Sequence, residues 1–314
     1  MPPLPRSLPL LLASCLPCTA DSSSSGLTIR WEPGTRHHQR FEIRQNGLLP
    51  SKEGPRSQHA EITADQSVTI RPHPKQGWTF VGVTWGEFKL SGANGPDKFA
   101  YDSRKPASGP DRGVTDVGDT VRAYLGREFL FERDDTGRLA ATPAFDALLA
   151  DIVKQVPDAA APVKAFFSKA NVTQLLKLGT IPATPTQPVS QGAVWPFESK
   201  FSIPVVGDLA LSGSCSHNGT TKRAGATCTE IPITGRLRLH SSTAISLMGL
   251  KSASGAISGT VWFDESLGWA RESVTTWTVT ATLGGIASAA DGSSQSVPLR
   301  QTTRLTLLKT ERLP

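Results

Sequence analysis

Residues 143–195 interrupt a chain that otherwise reads as strands and turns, and that interruption limits the folds open to it. Phe145, Leu148, Leu149, Ile152 and Val156 recur three and four residues apart, the spacing of one apolar helix face. Thr142-Pro143 ahead of them supplies an N-cap and a first-turn proline. Pro157 and Pro162 break the pattern, Val163, Phe166 and Phe167 restart it, and Leu175, Leu176 and Leu178 carry it to a capping Gly179. Pro182, Pro185 and Pro188 then forbid helix and favour an extended run into Gly192-Ala-Val-Trp195.

Both flanks read as β-structure. Trp78-Thr-Phe-Val-Gly-Val-Thr-Trp85 is β-branched and aromatic throughout, and Ser91-Gly-Ala-Asn-Gly-Pro96 follows it with turn chemistry. Glu128–Glu132 and Arg138-Leu139 form a hairpin about Asp134-Asp-Thr-Gly137. Residues 114–125 carry a short helical spacing. Beyond the prolines, residues 193–203, 208–215, 226–233, 235–242, 259–263, 269–283 and 297–309 read as strands, with apolar and polar side chains alternating in 193–203 and 235–242. The pattern predicts an α+β fold, a large curved antiparallel sheet with the 143–180 insert packed on it. Residues 27–314 form a single β-rich domain with halves at about 27–142 and 190–314. Phe41 and Ile43 after Gly34 line up with Phe201 and Ile203 after Gly192, and 129–137 parallels 261–268, so the halves read as similar.

The N-terminus bears on location. Arg6 precedes a short apolar run from Ser7 to Ser14, a secretory pattern too short to span a bilayer core of ~30 Å. Leu12-Ala-Ser-Cys15 matches a lipobox, which would lipidate Cys15, anchor the chain to a membrane facing the periplasm and leave residues 21–26 as a tether. Cys18-Thr-Ala20 also fits a signal-peptidase site, which would release a soluble periplasmic or secreted protein after residue 20. Only Cys215 and Cys228 then remain, an even pair, whereas cleavage at Cys15 leaves Cys18 over. The two later cysteines are expected to form a disulfide across the tip 217–223, contributing roughly 3 kcal/mol. A net charge of +6 invites anionic partners, but the basic residues are scattered and fit a solvated surface, so no nucleic acid is expected.

Phe99-Ala-Tyr-Asp-Ser103, Leu178-Gly-Thr-Ile-Pro182, Pro188–Trp195 and Gly259-Thr-Val-Trp-Phe-Asp264 together resemble an uncharacterised family of exported bacterial proteins. Such families are described as domains of unknown function, many of them lipoprotein-like. The resemblance covers about 27–309 and implies export and a β-rich fold with a helical insert, akin to the half-barrel of lipoprotein carriers. It implies no catalytic residues.

The sequence lacks the usual zinc, nucleophile-elbow and phosphate-loop motifs, and no cofactor or metal is expected. Adjacent His37 and His38 on a strand point to opposite faces and suit an exposed edge better than a metal. Asp134-Asp135 and Asp264-Glu265 are read as turn formers. Asp102 and Ser103 are the most tempting polar pair, but no histidine is assigned to them, and capping of the next loop is the better reading. The aromatic candidates for a ligand pocket are Trp78, Trp85, Trp195, Trp262, Phe166 and Phe167, on the concave side of the sheet, where an apolar or lipid ligand would sit. The leading expectation is a non-enzymatic, membrane-anchored envelope protein with a binding or structural role. An envelope hydrolase with a non-standard site around Asp102, Ser103 or the hairpin carboxylates, and a purely structural interaction module, are the alternatives.

Overall fold

A computed structural model describes residues 27–49, 56–105, 118, 121–157, 185, 187–203, 207–241, 250–283 and 295–314. The lipidation candidate Cys15, the 1–20 signal, the 21–26 tether, Phe166 and Phe167 lie outside these residues.

Among the described residues, thirteen antiparallel strands share one open, curved sheet. In chain order they are β1 (Thr35–Leu49), β2 (Arg56–Pro72), β3 (Thr79–Asn94), β4 (Asp97–Asp102), β5 (Glu128–Arg133) and β6 (Leu139–Ala141). After helix α1 (Pro143–Gln155) come β7 (Val194–Ile203), β8 (Gly207–Ser216), β9 (Thr220–Arg223), β10 (Ala226–Ser241), β11 (Leu250–Asp264), β12 (Trp269–Leu283) and β13 (Gln295–Arg312). The spatial order is β6-β5-β3-β2-β1-β13-β12-β11-β10-β8-β7, with β4 on β3 and β9 on β10. Each half is therefore a meander broken once, in the first where β3 meets β5 past β4 and in the second where β8 meets β10 past β9. The halves join where β1 pairs with β13 in the middle of the sheet, from Thr35 opposite Arg312 to Gly47 opposite Leu299. The free edges β6 and β7 are the two strands that the helical insert connects. β1 and β7 open the two paths, and β5 and β11 each lie fourth along them.

Alternation decides which face is inner. On β1 the odd residues Thr35, His37, Gln39, Phe41 and Gln45 are buried, while Arg36, His38, Arg40, Glu42 and Arg44 face out. One inner row runs by register from Phe99 through Gly92, Ala60, Gln45, Gln301, Trp277, Ile257, Gly235 and Gly213 to Phe197. At its far end the Phe197 ring covers two glycines: a Cβ on Gly213 would stand 2.7 Å from Phe197 Cζ, and one on Gly235 3.3 Å. The missing side chains let the ring lie flat across two strands.

The inner face carries two large apolar clusters. The first-half cluster joins Ile62, Val68, Val81, Val83, Trp85, Phe129 and Phe131 to α1. The second-half cluster includes Trp195, Phe197, Ile231, Ile233, Val261, Phe263 and Trp277. Helix α1 begins as the sequence predicts: Thr142 Oγ1 accepts from the Phe145 amide at 3.2 Å, and Pro143 follows in the first turn. Thr142 Oγ1 also donates to Leu130 O at 2.9 Å, which fixes the helix start to β5. The Phe145 ring then sits 5.7 Å from Phe129 and 5.2 Å from Phe131, tilted against both. The helix packs chiefly on β5 and β6, at one end of the sheet; the rest of the 143–180 insert, from residue 158, lies outside the described residues. The short helix expected near 114–125 is present at residues 121–124.

The expected Cys215–Cys228 disulfide is absent. Cys215 lies opposite Ile233 and Cys228 opposite Thr221, five positions apart along β10. At ~3.3 Å per strand residue that is roughly 16 Å, beyond the ~7 Å a disulfide can bridge. The cysteines are on one hairpin, but its register separates them.

Candidate ligand-binding site

The aromatic residues expected to line one pocket fall into three groups. Trp85 and Trp195 point inward, but into different clusters. Trp85 stands edge-on to Phe129 at 5.2 Å and to Tyr124 at 6.1 Å, as part of a filled core. Trp78 and Trp262 face outward under cations: Lys75 Nζ lies 3.8 Å from the Trp78 ring centre, and the Arg223 guanidinium 4.0 Å from that of Trp262. Phe166 and Phe167 fall outside the described residues. Alternation alone could have separated Trp262 from its neighbours, because buried Val261 and Phe263 flank it.

Between the apolar clusters the inner face turns polar. Gln39 and Gln45 on β1, Gln66 on β2, Gln301 and Thr303 on β13, and Ser273 and Thr275 on β12 are all buried. Gln39 is the direct register partner of Gln66, and Gln45 of Gln301. The Nε2 atoms of Gln39, Gln45 and Gln66 and the Oε1 atoms of Gln66 and Gln301 have no hydrogen-bond partner. Sequence reasoning passed over these glutamines, since a polar residue on an alternating strand is normally assigned to the solvent side.

On the opposite face of the same strands the register slips at two neighbouring points. Leu308 is the extra residue on β13, where His38 pairs with Lys309 and Gln39 with Leu307. Gly86 and Glu87 oppose the single Asp65, because Ala64 pairs with Phe88 and Gln66 with Trp85. These bulges bend the strands around a shallow groove of about 380 Å³, lined by His38, Asp65, Ser67, Glu87, Leu308 and Lys309 and backed by Gln39 and Gln66. Within it Ser67 Oγ lies 2.9 Å from His38 Nδ1, and His38 Nε2 lies 3.0 Å from Glu311 Oε2. The Lys309 ammonium pairs with Glu311, and with His38 it lowers that carboxyl to about 2. Arg40 holds Asp65 through two bonds of 2.7 and 3.0 Å.

His37 and His38 do face opposite sides, as read from the sequence, but β1 is central and not an edge. His37 is buried against Trp269, its ring stacked at 4.2 Å and its Nδ1 3.0 Å from Thr310 Oγ1. Burial, with a smaller push from His38 and against the pull of Glu32, lowers its pKa to about 4. Asp102 and Ser103 have structural partners: Asp102 accepts from the Arg104 amide at 3.0 Å, and Ser103 Oγ accepts from the Phe88 amide at 2.9 Å. Asp134 accepts from the amides of Thr136 and Arg138, and buried Asp264 from Ser266 Oγ, the Leu267 amide and Arg271 Nε, so both head turns. Burial alone would raise the Asp264 carboxyl, but its three donors outweigh that and lower it. Among the described residues no group of three metal-ligating side chains occurs, and no helix is long and apolar enough to cross a membrane.

No protein-family model and no curated protein matches the chain. Among solved structures it is similar to one titled "Lipid-protein interactions in lipovitellin", at 14% identity over 91% of this chain and 26% of that one, with a TM-score of 0.44. The chain thus spans about a quarter of that protein. It is also similar to DynF from the dynemicin biosynthesis pathway of Micromonospora chersina, at 8% identity over 96% and 94% of the two chains, with a TM-score of 0.23.

Proposed function

We propose that this chain is an exported, non-enzymatic envelope protein that holds an apolar ligand against the inner face of its sheet. In this reading Cys15 carries the lipid anchor, and the curved sheet acts as a half-barrel. The observation that carries the reading is the length of the apolar inner face. Helix α1 packs chiefly on β5 and β6 at one end of the sheet, while the second-half cluster spans β7 to β12. Among the described residues, only Leu27, Ile29 and Val189 join that cluster from outside the strands. A buried apolar face of this length has the chemistry to pack along an acyl chain. Organic extraction of the purified full chain, followed by mass spectrometry, tests it. About one acyl-bearing molecule per protein is expected beyond any covalent lipid. An empty extract, together with no uptake of oleate or 1-oleoylglycerol from micelles, would overturn the reading.

The Ser67–His38–Glu311 relay favours a second reading, acyl transfer at Ser67 with His38 as base and Glu311 orienting the ring. A fluorophosphonate probe should then label the wild-type chain and leave Ser67→Ala unlabelled. Absence of labelling in the wild type leaves the relay as cross-strand pairing on three adjacent strands.

A further inference from the structure

The inner-face glutamines carry five of the buried, unpartnered side-chain atoms among the described residues. Gln39, Gln45 and Gln66 are each 2% exposed and Gln301 is fully buried. An unanswered buried amide costs about 1–3 kcal/mol, so such groups are normally paired or bound to something. Here two amides stand side by side on β1 and β2, with Cβ atoms roughly 5 Å apart. Yet Gln39 Nε2, Gln66 Nε2 and Gln66 Oε1 all lack partners. Trp85 and Leu307 flank the pair in register, so its immediate neighbours are apolar. Further along β1 the Gln45–Gln301 pair repeats the arrangement with one donor and one acceptor unanswered. Phe41, packed on Leu305, lies between the two pairs.

We infer that the Gln39–Gln66 pair is the polar end of the ligand site, reading the ester or amide carbonyls and hydroxyls of a neutral lipid whose chain lies along the apolar inner face. This rests on the apolar-ligand reading above and adds the class of headgroup. Two free amide donors suit carbonyl oxygens, and one free amide acceptor suits a hydroxyl. The pair carries no charge. The nearest buried titratable group on its strand, His37, is held neutral by burial, so the inner side of β1 offers no cation to a carboxylate or phosphate among the described residues. A charged headgroup beside the pair would pay a desolvation cost without a counter-ion on that strand. The site therefore prefers a monoacylglycerol to the fatty acid of the same chain.

The test uses the full chain stripped of lipid and two probes, 1-oleoylglycerol and oleate, with bound ligand counted by native mass spectrometry. Wild type is expected to bind 1-oleoylglycerol at least tenfold more tightly than oleate. In Gln39→Leu/Gln66→Leu the 1-oleoylglycerol affinity should fall at least tenfold while oleate is unchanged. Replacing both amides with apolar groups of similar size is close to neutral for folding, and the single Gln66→Met serves as a milder second variant. Equal affinities in wild type, or a double variant that still prefers 1-oleoylglycerol, would show that the glutamines hold only water and would overturn the inference alone. If wild type binds neither probe, the apolar-ligand reading fails with it.

Discussion

Replacing Trp269 with alanine should cost about 3–5 kcal/mol of unfolding free energy, read as a fall in the urea midpoint. Trp269 opens β12, a second-half strand, yet its fully buried ring belongs to the first-half cluster. It meets Trp31 edge-on at 5.3 Å and stacks on His37 at 4.2 Å, so it ties β12 to β1 across the intervening β13. The loss is both transfer energy and a cavity among side chains that belong to different halves. Trp262→Ala is the comparison, since that ring lies on the outer face under Arg223. Its cation–π contact contributes only about 0.5–1 kcal/mol. If the two substitutions cost the same, Trp269 does not bind the halves together.

Acidification from neutral pH to about 4 should remove up to about 3 kcal/mol of stability through His37 alone. Its pKa is lowered from 6.5 to about 4 in the folded chain, chiefly by burial. Between those values the unfolded chain binds the proton and the folded chain does not. The contribution is therefore complete above pH 6.5 and is lost as pH falls towards 4. The Glu311 carboxyl, lowered from 4.5 to about 2, acts in a lower window, below 4.5. Urea midpoints of wild type and His37→Phe at pH 7, 5.5 and 4.5 separate these effects. Phenylalanine keeps a ring on Trp269 and should flatten the curve above pH 4.5. A variant with the wild-type slope would assign the acid loss to other groups.

What could be read in the sequence follows from the range of the interactions involved. Phe145, Ile152 and the Thr142 cap announce α1 because helix periodicity and capping are local. The run from Trp78 to Trp85 announces β3 for the same reason, through β-branched and aromatic density. The Asp134 and Asp264 turns were legible because an aspartate bonds to amides two to four residues ahead of it. The relay of Ser67, His38 and Glu311 was not legible, because it needs the register of β1 against both β2 and β13, partners 29 and 273 residues away. The inward glutamines defeated alternation in a different way. Alternation divides a strand into two faces, and the choice of core face assumes that the core is apolar. On β1, Phe41 faces the same side as Gln39 and Gln45. The disulfide failed on register as well: even cysteine counting cannot show that Cys215 and Cys228 stand at different levels of one hairpin.

The join of β1 to β13 also bears on how the sheet is reached. Apart from β3–β5 and β8–β10, each separated by one short strand, the other pairs along the main order bring together neighbours in sequence, which close smaller loops and form early. Thr35 meets Arg312 only after almost the whole described chain has been made. Two meanders can thus grow separately, each with an exposed, unpaired central strand, until the last strand arrives to zip them. During that interval β1 offers free amides and carbonyls to any extended segment nearby. The step that completes the molecule is then the slowest, and a chain stalled before β13 is the one most prone to pair with another copy of itself.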